Sequence, residues 1–263
     1  MEKFHIGIVG GTGGIGKWFA SFFERHGYTV YISGRSSGMT SEEMGKACRV
    51  VMVSVPIENT LAAIEKIGPH MPPGSLLADL TSLKIVPVRA MLDSSVSEVI
   101  GLHPLFGPGE PSVSGLNIAF CPARGNQWLC WVKEIFENNG ARLIETTPEE
   151  HDAMMAFVQG LNHFNTAIFA MTLKDSGITL EKFRRFSTPV FVNRLSHIEK
   201  ICSNPRLYAS ILTSNSLLAE IIVDYRKNLS ILMDFIEAGD SKSLETMLRD
   251  LVKQESIGSS QPD

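Results

Sequence analysis

The chain has 263 residues, with 24 Lys and Arg against 28 Asp and Glu and a formal net charge of −4. That balance supplies no basic face of the kind a phosphate-tracking protein carries, so nucleic acid is not an expected partner. Cys48, Cys121, Cys130 and Cys202 lie far apart without a C-x-x-C pair or a histidine cluster, which reads as reduced thiols and no metal site.

His5-Ile6-Gly7-Ile8-Val9 is a short buried-strand pattern, and after a run of glycines Ile15-Gly16-Lys17-Trp18-Phe19-Ala20 places apolar residues at helical spacing. Further strands are predicted at Thr29–Ser33, Arg49–Val55, Ser75–Asp79 and Glu98–Leu102, with helices over 57–67 and 83–92. A strand around Asn117–Cys121, a helix over 126–138 and a strand at Ala141–Ile144 complete a first domain, 1–147. This alternation implies an α/β fold with a Rossmann-like, doubly wound parallel sheet. The longest apolar stretch, Val50–Ile57, is too short to cross a bilayer, and the first residues leave no room for a charged-then-apolar leader. A soluble, cytoplasmic protein without membrane contact is expected.

Proline and acidic residues in Thr147-Pro148-Glu149-Glu150 favour a helix starting there, and no strand pattern follows. Helices are predicted over 149–173, 180–202, 205–238 with a candidate break near Ser214, and 240–254. Several carry Leu, Ile or Met on more than one face, more apolar surface than one subunit hides. Residues 148–254 are therefore expected to form an all-helical C-terminal substrate and dimerisation domain in a homodimer. The polar tail 255–263 is expected to be disordered.

Gly11-Thr12-Gly13-Gly14-Ile15-Gly16 satisfies G-x-G-x-x-G between a predicted strand and a predicted helix. In such a turn the first glycine permits the tight bend, the second admits a pyrophosphate and the third lets helix pack on strand, while helix N-terminal amides meet the negative charge. A site for NAD usually ends its second strand with Asp or Glu to hold the ribose 2′-hydroxyl. Here Ser33-Gly34-Arg35-Ser36 stands instead, and the guanidinium of Arg35 with the hydroxyl of Ser36 suits a 2′-phosphate. NADP is the expected cofactor, with NAD the alternative if Arg35 is a solvated loop residue. Ser54-Val55-Pro56 ends the third strand, at the sheet edge where cofactors bind in open α/β folds.

Three further motifs follow in order: Gly101-Leu102-His103-Pro104-Leu105-Phe106-Gly107, Glu150-His151-Asp152 and Gly160-Leu161-Asn162-His163. With Gly11–Gly16 before them, the chain resembles the prephenate dehydrogenase family (prephenate, arogenate and cyclohexadienyl dehydrogenases) from Ile6 to about Tyr208. The resemblance implies NAD(P)-dependent oxidative decarboxylation of prephenate, or of arogenate, on the route to tyrosine. It implies that His163 accepts a hydrogen bond from the substrate hydroxyl, which a neutral imidazole with an unperturbed pKa of about 6.5 can do. Without it, a lone histidine in an apolar helix reads as a core residue. The resemblance further makes His103 a wall of the active site and Ser112 a second hydroxyl contact, with Ser114 as alternate. Ser82, in Asp79-Leu80-Thr81-Ser82-Leu83-Lys84, either caps the following helix or faces the substrate. Glu150, His151 and Asp152 read as charges ordering the start of a helix.

One departure concerns the substrate's anionic groups. Relatives carry an arginine six residues before the proline of an Asp/Asn-Pro-x-Leu-Tyr stretch; in Asn204-Pro205-Arg206-Leu207-Tyr208 that position holds Glu199. Arg194, Lys200 and Arg206 remain candidate cations. A β-hydroxyacid dehydrogenase would place a lysine soon after Gly160, and the next lysine is Lys174. A redox sensor that holds NADP without turnover is the alternative from a different class, and an intact His163 speaks against it.

Overall fold

The computed structural model describes residues 4–34 and 38–255. Arg35, Ser36 and the tail from 256 onward lie outside them. Two compact units emerge, Met1–Asn215 and Ser216–Asp263.

The first unit is built on seven strands: β1 (His5–Val9), β2 (Thr29–Ser33), β3 (Val50–Val53), β4 (Leu76–Asp79), β5 (Glu98–Pro104), β6 (Asn117–Arg124) and β7 (Arg142–Glu145). Their order across the sheet is β2-β1-β3-β4-β5-β6-β7. The strands from β2 to β5 are parallel, as expected, but β6 runs antiparallel to β5, and β7 is parallel to β6. The antiparallel pairing of β5 with β6 has a simple reason. No helix follows β5, and a parallel return needs a crossover connection, whereas α5 (Gln127–Glu137) supplies one between β6 and β7.

Alternate residues of the buried strands point to opposite faces, so each strand feeds two cores. Ile6, Ile8, Val50, Met52, Leu76 and Ala78 pack against the aromatic faces of α1 (Gly14–Arg25) and α5, including Phe19, Phe23, Trp131 and Phe136. Val51, Val53, Leu77 and Val99 face α2 (Ser41–Ala47), α3 (Ile57–Ile67) and α4 (Ile85–Ser94) through Met44, Ile64, Ile67 and Met91. Helix α2 has no counterpart among the predicted elements, although Thr40 and Glu43 form a full capping box at its start.

The expected helix over 149–173 is three pieces: α6 (Pro148–Met155), a π-helical segment (Ala156–Leu161) and α7 (Asn162–Asp175). That expected over 180–202 is two, α8 (Leu180–Arg185) and α9 (Pro189–Ser203). Pro189 cannot continue α8, and the Thr188 side chain caps the new start by accepting from Phe191 N. Helix α10 (Pro205–Ser214) ends the unit, with Asn204 as its cap. The second unit holds α11 (Leu217–Ala238) and α12 (Ser241–Glu255), so the break near Ser214 is present. No single described helix is long and apolar enough to cross a membrane.

Candidate active site

The turn between β1 and α1 bends at Gly10, whose φ of +84° a side chain would resist. A Cβ on Gly16 would lie 2.5 Å from Gly10 O, so only glycine lets α1 pack this closely. At Gly13 the same test meets nothing nearer than Gly10 O at 3.4 Å, which leaves the backbone approachable from outside. Gly13 is also the N-cap of α1 and has no side chain to occupy the first amides. These amides face a cavity of about 300 Å³ lined by Gly13, Gly14, Ile15, Ser54, Val55, Pro56, Thr81 and Ser82. The donors and the open backbone fit a dinucleotide's pyrophosphate. Gly11 is buried under Ile32, and Thr12 is exposed on the turn.

A second cleft, of about 530 Å³, shares Ile15, Leu80 and Ser82 with the first and continues to His103, Gln159, His163, Lys200 and Tyr208. It lies beyond the carboxyl ends of β4 and β5 and is closed on the other side by the π-helical segment and by α7, α9 and α10. The loop after β5 is fixed to α1 by Trp18 Nε1, which donates to Glu110 O at 2.7 Å, and by the Trp18–Phe106 ring contact.

His103 sits at the end of β5 and is buried. Its Nδ1 is 2.9 Å from His151 Nε2, and His151 Nδ1 is 2.7 Å from Asp152 Oδ1. A carboxylate only accepts, so His151 Nδ1–H donates to Asp152, and a neutral His151 then accepts at Nε2 from His103 Nδ1–H. The lone pair of His103 is then on Nε2, facing the cleft, where the Gln159 amide approaches to 3.3 Å. Burial, followed by the nearby Lys84 and His151, holds the His103 pKa well below its ordinary value. The imidazole is therefore neutral at pH 7.

Asp152 does more than hold His151. Its two oxygens accept from Lys84 N at 2.8 Å and Ile85 N at 3.0 Å, capping α4 from a residue far along the chain. Ser82 therefore does not cap α4 and instead lines both cavities. Beneath them the fully buried Lys84 ammonium donates to Asp79 Oδ2 and to Leu102 O. Burial lowers the Lys84 pKa in spite of Asp79.

His163 is half-buried at the start of α7, and its ring meets Tyr208 edge to face at 4.9 Å. Burial, then the charges of Lys200 and His197, lower its pKa, so it too is neutral near pH 7. The other expected residues lie elsewhere. Ser112 does not line the cleft; its hydroxyl accepts from Ser114 N within an exposed loop. Arg194 lies about one and two-thirds turns before Lys200 on α9 and stacks over Phe169 at 4.9 Å, outside the cleft. Arg206 pairs with Glu58 at the margin of the glycine-turn cavity. His151, Asp152 and Gln159 were not among the expected site residues. His151 and Asp152 stood in the sequence as ordinary first-turn charges, and nothing local signals that they meet His103.

Two models of one family match the chain: "prephenate dehydrogenase, nucleotide-binding domain" over residues 34–145 and "prephenate dehydrogenase, dimerization domain" over 147–250. A probable arogenate/prephenate dehydrogenase of Methanocaldococcus jannaschii is 32% identical over 94% of this chain and 60% of its own length. A T-protein of Haemophilus influenzae is 33% identical over 89% of this chain and 63% of its own length. The chain thus spans less than two thirds of these curated relatives. Among solved structures, the prephenate dehydrogenase of Aquifex aeolicus, in complex with hydroxyphenyl propionate and NAD+, has a TM-score of 0.77 at 21% identity, covering 98% of this chain and 99% of that one. An arogenate dehydrogenase of Synechocystis has a TM-score of 0.73 at 21% identity, covering 96% and 99%. At that identity the likeness is one of fold.

Proposed function

The chain belongs to the prephenate dehydrogenase family, and from that premise we propose that it catalyses the oxidative decarboxylation of prephenate to 4-hydroxyphenylpyruvate with a nicotinamide cofactor. The observation that carries this reading is the joining of two cavities at Ile15, Leu80 and Ser82. One suits a pyrophosphate, and the other presents a buried, oriented imidazole.

The Gly13–Ile15 amides and Ser54-Val55-Pro56 would hold the cofactor, which when bound takes the C4 hydrogen of the substrate as hydride. As that hydride leaves, the bond from C1 to the ring carboxylate breaks, carbon dioxide departs and its electron pair makes the ring aromatic. Positive charge builds at C4 before that pair arrives. His103 Nε2 accepts the hydrogen bond of the C4 hydroxyl and draws its proton toward the imidazole, which stabilises that charge. His151 and then Asp152 orient the ring and offset the imidazolium character, the logic of a base held by a third group extended by one imidazole. The proton returns to the phenol, so none is consumed overall. His163, which the resemblance implies as the acceptor, has no orienting carboxylate among the described residues; in this reading it holds the substrate from the facing wall. Absorbance of the reduced nicotinamide tests the reading. Purified protein that reduces neither NADP nor NAD with prephenate or arogenate would sink it, and a binder without turnover would be the reading left.

The preference for NADP rests on the missing carboxylate after β2 and on Arg35 and Ser36. Arg35→Ala is expected to weaken NADP by about 1.5–3 kcal/mol, the worth of a charged hydrogen bond, and NAD hardly at all. Equal losses in a binding titration would remove Arg35 as the reader. The chain acts as a homodimer, a reading supported by the description of the matched model and by exposed apolar residues such as Met171, Phe186 and Val190. Light scattering should return twice the 28.9 kDa chain mass. A fully active monomer would contradict it.

A further inference from the structure

We infer that Lys200 binds a substrate carboxylate in place of the arginine that relatives carry, and that the cleft thereby selects a 2-keto dicarboxylate over its 2-amino counterpart. This rests on the dehydrogenase reading above and narrows its substrate.

The three candidate cations are separated by their surroundings. Arg194 is stacked on Phe169 outside the cleft. Arg206 is held by Glu58, 2.8 Å from its Nε, on the side of the glycine turn. Glu199, which stands where relatives have the arginine, pairs with Arg184. Lys200, the next residue, lines the substrate cleft, and no carboxylate partners it among the described residues. Its charge is felt at His163, whose protonated form it disfavours. One helical step of 100° thus moves the cation, and an ammonium replaces a planar fork by a point charge that needs no matched geometry.

The rest of the lining sets the sign. Among the described residues around this cleft there is no Asp or Glu, and His103 and His163 are both held neutral. A second negative group on the ligand therefore meets only attraction and polar donors such as Ser203 and Asn204. The ammonium of a 2-amino side chain would meet a like charge and no acid to offset it. A keto oxygen, which only accepts, has no such conflict.

The test compares wild type, Lys200→Met and Lys200→Arg with prephenate and with arogenate, and follows binding of 4-hydroxyphenylpyruvate and of NADP by calorimetry. Wild type is expected to show at least tenfold higher kcat/KM with prephenate. Lys200→Met should raise the prephenate KM at least tenfold, with kcat falling far less, and should weaken 4-hydroxyphenylpyruvate to a similar degree. NADP affinity should hold in both variants, and Lys200→Arg should recover most of the loss. A Lys200→Met variant with KM and product affinity within twofold of wild type would overturn the inference, as would a wild type that favours arogenate. If wild type turns over neither substrate the dehydrogenase reading falls, while product binding still decides whether Lys200 holds a carboxylate.

Discussion

The inner end of the cleft and its outer wall follow opposite plans. At the inner end His103, His151 and Asp152 are all buried, and Asp152 is further tied to the amides of α4. On the outer wall His163 is half-exposed with a ring contact to Tyr208, and Lys200 reaches solvent with no carboxylate partner among the described residues. Groups that must not move during a proton shift are locked by hydrogen bonds before any ligand arrives. Groups that must exchange water for a ligand keep their donors unspent.

The sharpest way to break this contrast is to exchange the two histidines for asparagine in turn. His103→Asn is expected to lower kcat about 10²–10⁴-fold, the usual worth of a positioned general base. The pH profile carries the same assignment. A base must be unprotonated to act, and the His103 pKa is depressed, so kcat/KM should hold as pH falls through about 6.5 and decline only below it. In His103→Asn that acid limb should be gone.

Asp152→Asn attacks the buried end one step further back and should rank second. The amide oxygen can replace one acceptor, but the amide nitrogen would face a donor, and an unpaired buried donor costs about 1–3 kcal/mol. Urea unfolding should show that loss, and kcat should fall by less than in His103→Asn. Unchanged stability would mean that the carboxylate does not hold the junction between α4 and α6.

The smallest effect is expected on the outer wall. His163→Asn removes one neutral hydrogen bond, about 0.5–1.5 kcal/mol, and should appear mainly in KM. If the kinetics come out the other way, with His163→Asn the damaging change and His103→Asn mild, the base belongs to the helical wall, as the family resemblance implied.

The same contrast explains what the sequence could and could not reveal. All seven strands are legible, because runs such as Val50–Val53 and Leu76–Ala78 are buried on both faces and apolar throughout. The direction of β6 is not, since it depends on the absence of a helix in the preceding loop. Helix α2 escapes notice at seven residues, too short for periodicity to register. The glycine turn and Ser54-Val55-Pro56 are local in the chain and were readable. His103, His151 and Asp152 are not local, and the neighbours that give them a role come from packing α6 against the ends of β5 and α4. The position of Lys200 depends in turn on where α9 begins, which Thr188 and Pro189 fix.

The π-helical segment at Ala156–Leu161 has a consequence for how this chain can tolerate insertions and deletions. A π turn holds about one residue more than an α turn, so losing a single residue there would let α6 run into α7 as one regular helix. Because the wide turn has already absorbed that residue, α7 would keep nearly the phase and height it has now. His163 would stay at the cleft, while the residues of the segment itself, Gln159 among them, would be redistributed around a narrower turn. A second deletion would find no wide turn to absorb it and would rotate α7 by about 100° and shift it by about 1.5 Å, so the stretch between His151 and His163 should tolerate one loss and not two.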